Sequence, residues 1–279
     1  MEFYTTEQIS KHIIRINPFW KDACMYYIKG SERGLLVDTG YGFGDLKSFV
    51  DKLADGQSYD VVISHGHLDH ANGAGQWEKV YMSHKDIDLY HENSEYENIV
   101  QFLKNYVSDI ESYPKELFQA PHDDEFIDLV DGKDFDLGDV SVKTIEAPGH
   151  TQGMMVFLIP EERIILFGDA CGVFTLFVRP EATSLEEFLS TLSVLKSYEN
   201  QYDRILRQHG TCESPKELLD EDIEIVHSIL NGSDDHIPFE FNGIPCFVAR
   251  AIDPNKNGRV DGKEGNILYI PEKIRKANR

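Results

Sequence analysis

Three of the chain's eleven histidines crowd into one short segment, Ser64-His65-Gly66-His67-Leu68-Asp69-His70. Three imidazoles and a carboxylate so close together are costly in a core and unusual on a surface. They suit one or two borderline divalent ions, which take nitrogen and oxygen donors. The segment follows the apolar run Val61-Val62-Ile63, so it sits at the carboxyl end of a strand. In extended chain His65 and His67 point to the same side. Asp69 and His70 follow a turn and can face a neighbouring point.

Three later segments repeat the event. Pro148-Gly149-His150-Thr151 ends the apolar stretch SVKTIEA, Phe167-Gly168-Asp169-Ala170 ends RIILF, and Gln208-His209-Gly210 ends DRILR. Each time a hydrophobic strand stops beside glycine and delivers a ligand-type residue. Sites in α/β sheets lie beyond the carboxyl ends of strands. The pattern therefore predicts that His65, His67, Asp69, His70, His150, Asp169 and His209 converge as a dinuclear centre. The four cysteines, Cys24, Cys171, Cys212 and Cys246, are far apart with no CxxC pair. That spacing reads as reduced thiols in a cytoplasmic protein.

The elements that must position these residues alternate between strand and helix. KHIIRI, MYYIKG, GLLVDTG, YDVVISHG and KVYMSH read as strands, with YGFGDLKSFVDKLA at helical spacing. Residues 85–124 read as a helical insertion rich in aromatics. Strands return over 125–144 and in MMVFLIP, RIILFGDA and DRILRQHG. Ser184-Leu185-Glu186-Glu187 fits a capping box that opens a helix to about Tyr198, and SPKELLDEDIEIVHSIL is a second helix. The expected organisation is one α/β domain over 1–279 with the insertion near 85–124.

His65-x-His67-x-Asp69-His70, Gly149-His150-Thr151, Gly168-Asp169 and His209-Gly210, preceded by Val37-Asp38-Thr39-Gly40, resemble the metallo-β-lactamase-fold hydrolase superfamily in order and placement across roughly residues 38–210. The resemblance implies an αββα sandwich with two metals at its edge. It assigns His65, His67 and His150 to one ion and Asp69, His70 and His209 to the other, with Asp169 between them. Asp38 would orient a ligand histidine from behind. The implied ions are zinc first, with iron or manganese as alternatives. A bridging hydroxide would attack a small ester, thioester or lactone, with Asp69 orienting it or carrying a proton. The glyoxalase II-like and lactonase-like branches share these motifs. A phosphodiester or β-lactam substrate, or a mononuclear iron oxidoreductase of the sulfur-dioxygenase type, is the alternative.

The chain has 279 residues and a net charge of −22. Such a surface repels phosphate backbones and anionic membranes, so the expected partner is a small molecule, not nucleic acid or a membrane. The first residues read as no signal peptide, and no stretch approaches the ~18 apolar residues of a membrane span. Tyr90, His91, Tyr96, Phe102 and Tyr106 of the insertion, and His236, are candidates to line a substrate pocket. Asp253, Asn255, Asn257, Arg259, Asp261 and Glu264 take the positions of a twelve-residue calcium loop, although strand-like flanks argue for a hairpin turn instead. Gly40-x-Gly42-x-Gly44 has the wrong spacing for a dinucleotide fingerprint, and there is no P-loop and no nucleophile elbow.

Overall fold

A computed structural model describes residues 3–253 and 258–276. The first sheet holds seven strands in sequence order: β1 (Tyr4–Gln8), β2 (Ile13–Pro18), β3 (Met25–Lys29), β4 (Gly34–Val37), β5 (Tyr59–Val62), β6 (Tyr81–Met82) and β7 (Ile127–Asp128). The second is built from β8 (Asp134–Asp136), β9 (Ser141–Glu146), β10 (Met155–Ile159), β11 (Ile164–Leu166), β13 (Arg204–Leu206) and β14 (Glu213–Ser214), in the order β14-β13-β11-β10-β9-β8. Between β11 and β13 the chain makes β12 (Thr175–Phe177). This strand joins a small sheet with β15 (Ile237–Phe241), β16 (Ile244–Val248) and β19 (Ile267–Tyr269). A two-stranded ribbon, β17 (Ile252–Asp253) and β18 (Gly258–Arg259), stands apart.

The period of two along each strand makes the layers. In β10, Met155, Phe157 and Ile159 enter a core shared with Tyr26, Leu35, Val37 and Val62 of the first sheet, so the two sheets pack face to face. Val156 and Leu158, pointing the other way, pack under α5 (Leu185–Ser197) and α6 (Leu218–Asn231), against Leu192 and Val226 among others. On the opposite side Leu36 and Val61 meet Leu46, Val50 and Ala54 of α1 (Leu46–Ala54). The central strands of both sheets therefore have both faces buried, which is why β4 and β10 read as unbroken apolar runs. The result is the expected αββα sandwich.

Local signals fix the helix ends. Asp45 caps α1 by accepting from the Ser48 amide. Ser184 and Glu187 form the reciprocal capping box at the start of α5. Gly232, in the left-handed region, ends α6. The aromatic stretch after β6 is less helical than its composition suggests. It contains α3 (Ile87–Asn93) and α4 (Tyr96–Leu103), then only single 3-10 turns at 110–112 and 115–117. Pro114 and a string of aromatics, including Phe43, Phe118 and Tyr113, replace the helix there with side-chain packing.

The calcium-loop reading meets a different geometry. Asp253 and Gly258 pair across an antiparallel ribbon, so the flanks are strands and not helices. Arg259 Nε lies 3.0 Å from Asp261 Oδ1, and Glu264 accepts from Ser214 Oγ at 2.7 Å. Two of the carboxylates that would hold calcium, Asp261 and Glu264, are thus turned to protein donors. Asn255 and Asn257 lie outside the described residues.

Candidate metal centre

Strands β4, β5, β9, β11 and β13 all end toward one edge of the sandwich. β4 and β5 are parallel, as are β11 and β13, and β9 runs with β11 because each is antiparallel to β10. After β5 the chain delivers Ser64 to His70, with α2 (Leu68–Ala71) turning Asp69 and His70 back toward the strand ends. Gly66 is required there, since a Cβ would sit 2.6 Å from the Asp86 carbonyl oxygen. Gly168, at φ +58°, makes the turn that presents Asp169.

Asp38 organises the buried side of this edge from a left-handed backbone, φ +65°. Its Oδ1 accepts from the Ser64 amide at 2.6 Å. Its Oδ2 accepts from Ser64 Oγ, His70 Nδ1 and Gln208 Nε2, each at 2.8 Å. Since Ser64 spends its one hydroxyl proton on Asp38, its 3.1 Å contact with His65 Nδ1 requires the imidazole to donate. His65 Nε2 is therefore an unprotonated lone pair. The same reasoning assigns the other tautomers. His150 Nδ1 faces the Leu176 carbonyl, so its Nε2 is free; His67 Nε2 faces the Glu181 carboxylate, so its Nδ1 is free.

The three free nitrogens meet. His67 Nδ1 lies 3.0 Å from both His65 Nε2 and His150 Nε2. Lone pairs that close repel one another unless a cation sits among them. Protons do not fill the role: burial, followed by the neighbouring imidazoles, lowers the His65 pKa, and burial with His67 lowers that of His150 to about 4. A second group lies alongside. His209 Nδ1 faces Asp22 Oδ1 at 2.9 Å, and its Nε2 is 3.2 Å from His70 Nε2 and 3.3 Å from Asp69 Oδ2. Asp169 Oδ2 stands 3.4 Å from His209, 3.7 Å from His70 and 3.8 Å from His150, and so touches both groups. Nitrogen and carboxylate donors without a thiolate fit zinc and similar borderline ions.

Protons can stand in for a cation at the second group. Burial opposes a charge on His70, but Asp69 and Asp169 outweigh it and hold its pKa up to about 10. The balance at His209 is of the same kind. His70 contributes to the stability of the metal-free fold fully below its ordinary value of 6.5, and loses that contribution as pH rises toward about 10. A divalent ion must displace this proton, so ion affinity rises through the same window. Zinc titration calorimetry at pH 7 in buffers of different ionisation enthalpy is expected to report release of at least about one proton per chain. Buffer-independent heats would contradict the assignment.

Beside the centre opens a cavity of about 600 Å³. His67, Asp69, His150, Asp169 and His209 line it together with Phe102, Tyr106, Phe174, Leu176, Arg179, Arg207, Phe241 and Asn242. Phe102 and Tyr106 thus reach it from the stretch that follows β6. Four other candidates do not line it; Tyr96, on α4, packs its ring edge-on against that of Phe118 instead. Tyr90 is buried in the core under the first sheet, its hydroxyl accepting from the His122 amide. His91 follows it on α3, its ring set edge-on to that of Tyr90. His236 stacks on Phe247, with Nδ1 2.8 Å from the Tyr269 hydroxyl, in the small sheet. Cys171, although two residues past Asp169, is buried in the core beneath the helices. Sequence reasoning missed Asp22, Glu181, Phe174 and Phe241. Each stands alone in sequence, with no spacing that ties it to the histidines.

Strand ends that converge on clustered imidazoles and carboxylates at one edge of an αββα sandwich define a metal-binding hydrolase. The profile of the metallo-beta-lactamase superfamily matches residues 23–196, and the chain belongs to that superfamily. It is 25% identical to acyl-coenzyme A thioesterase MBLAC2 of Bos taurus, over 75% of this chain and 72% of the relative. It is 24% identical to the probable polyketide biosynthesis zinc-dependent hydrolase PksB of Bacillus subtilis, over 88% and 93%. Among solved structures, a metallo-beta-lactamase from Pontibacter korlensis superposes with a TM-score of 0.56 at 16% identity, over 79% of this chain and 97% of the other, which bears on the fold alone. No helix among the described residues is long and apolar enough to cross a membrane.

Proposed function

We propose that this protein is a dinuclear metal hydrolase of small acyl substrates, with a thioester as the preferred bond. The observation that carries the reading is the convergence of the unprotonated nitrogens of His65, His67 and His150, with His70, His209 and two carboxylates alongside, at the wall of a largely apolar cavity. His65, His67 and His150 would hold one ion, Asp69, His70 and His209 the other, with Asp169 shared. Bound there, divalent ions, zinc first, supply Lewis acidity to a carbonyl and acidify the attacking water.

The chain's own residues supply the rest. Asp69 lines the cavity and can orient that water by accepting a hydrogen bond from it. Phe102, Phe174, Leu176 and Phe241 offer an apolar bed for an acyl chain, and Arg179 and Arg207 bring positive charge to a protein of net charge −22. The acids that line this cavity are Asp69 and Asp169, and as ligands of divalent ions both would be ionised, so neither is a proton donor. A thiolate leaves without needing one, because thiols ionise near pH ~8.5. That favours thioesters over oxygen esters, and the names of relatives point the same way, acyl-coenzyme A thioesterase and zinc-dependent hydrolase among them.

Matched acyl thioester, oxygen ester and lactone substrates, with a phosphodiester and a β-lactam, should be assayed on metal-analysed protein. The thioester is expected to give the highest kcat/KM at two ions per chain. Hydrolysis of none of them would overturn the proposal, and so would turnover that consumes oxygen at one iron per chain.

A further inference from the structure

The histidines of the centre differ in what holds them from behind. His65, His70 and His150 are buried, and interior groups fix their outer nitrogens: Ser64, Asp38 and the Leu176 carbonyl. The side chains of His67 and His209 are 14% and 31% exposed. An imidazole at a wet edge can turn and present either nitrogen, so these two need a partner to choose the ligating atom. Each has one. Glu181 Oε1 lies 3.0 Å from His67 Nε2, and Asp22 Oδ1 lies 2.9 Å from His209 Nδ1. Both carboxylates are themselves restrained. Tyr41 donates to the second oxygen of Asp22 at 2.8 Å, and Glu181 is mostly covered, with a side chain 18% exposed.

The two carboxylates press in opposite senses on the imidazole. Glu181 accepts a hydrogen bond from Nε2–H of His67 and leaves its Nδ1 bare to ligate, while Asp22 accepts from Nδ1–H of His209 and leaves its Nε2 bare. His67 consequently enters its group through the ring nitrogen nearer the backbone, whereas His65 and His150 enter through the farther one. This lets His67 approach both His65, two residues away on the same loop, and His150 from another loop to 3.0 Å without colliding. A carboxylate at the outer nitrogen also strengthens the inner one as a donor, and its loss typically costs about 10–100-fold in metal affinity.

We propose that Glu181 and Asp22 are positioning residues that act on opposite halves of the centre: Glu181 sets His67 to bind through Nδ1, and Asp22 sets His209 to bind through Nε2. The inference rests on the dinuclear reading above. Because each carboxylate touches a histidine of only one group, their effects are separable.

Cobalt(II) serves as the probe, titrated into the metal-free full-length chain against a competing chelator, with the cobalt absorption bands as signal. Wild type is expected to fill in two steps. Glu181→Ala is expected to weaken one step by about 10–100-fold and leave the other in place. Asp22→Ala is expected to weaken the other step. Glu181→Gln and Asp22→Asn should fall between, since an amide oxygen still accepts the proton but carries no charge. Long-range nitrogen–proton correlation spectra of the zinc-loaded protein supply a readout that a merely structural role would not move. His67 should show a metal-bound Nδ1 in wild type and lose that signature in Glu181→Ala. Two-step uptake in wild type with neither step shifted, or with both shifted equally in either variant, would overturn the proposal. Uptake of fewer than two ions by wild type would instead overturn the dinuclear reading, and this inference with it.

Discussion

Asp169→Ala is expected to lose an ion and to lower thioester kcat/KM by at least about 10³-fold, the scale on which a preorganised electrostatic group in a metal site matters. The reason lies in where the carboxylate stands. Its Oδ2 is within 3.8 Å of histidine nitrogens from both groups, so it is the negative charge common to the two. The five imidazoles that remain are neutral donors when they bind metal, and Asp69 alone would be left to offset two divalent charges. Metal content per chain, measured with the rate on the same sample, checks the result. A variant that keeps two ions and near-normal turnover would refute the shared role. Asp169 is not part of the hydrophobic core, so the metal-free variant should still fold.

Asp38→Ala is expected to act first on the fold. This carboxylate takes hydrogen bonds from the Ser64 amide, Ser64 Oγ, His70 Nδ1 and Gln208 Nε2, all at 2.6–2.8 Å, and the residue is fully buried. Alanine leaves these donors without an acceptor and adds strain at φ +65°. The expected cost to the metal-free protein is about 3–5 kcal/mol, as when one partner of a buried charged network is removed. Asparagine tolerates the left-handed backbone and keeps one accepting oxygen, so Asp38→Asn should cost less. Urea denaturation of the metal-free chain measures both. A loss below about 1 kcal/mol in the alanine variant would show that Asp38 is not the organising acceptor.

The convergence of these side chains was legible because the segments that carry them obey local rules. Each apolar strand that ends in glycine with a histidine or aspartate announces itself in sequence, and the strand direction then carries the side chain to the edge. The same locality explains why the capping box at Ser184 was visible: a helix start depends on four consecutive residues. Residues 85–124 were harder, since aromatic composition sets burial but not backbone conformation. There, packing around Phe43 and Phe118 took the place of helical hydrogen bonds. His236 and Tyr90 illustrate the limit for lone residues. Each has the right chemistry for a pocket, and each is instead held by a neighbour from another element, Phe247 and the His122 amide.

By itself the sequence determined the alternation of strands and helices, the strand ends and the set of side chains able to take divalent ions, because periodicity and turn chemistry act over a few residues; the sandwich was implied by the family resemblance. Only the tertiary structure decided which nitrogen of each imidazole is free, which carboxylates stand behind His67 and His209, and which aromatics wall the cavity. Those choices depend on contacts between residues up to 187 positions apart, as Asp22 and His209 are, and no local pattern encodes such a distance.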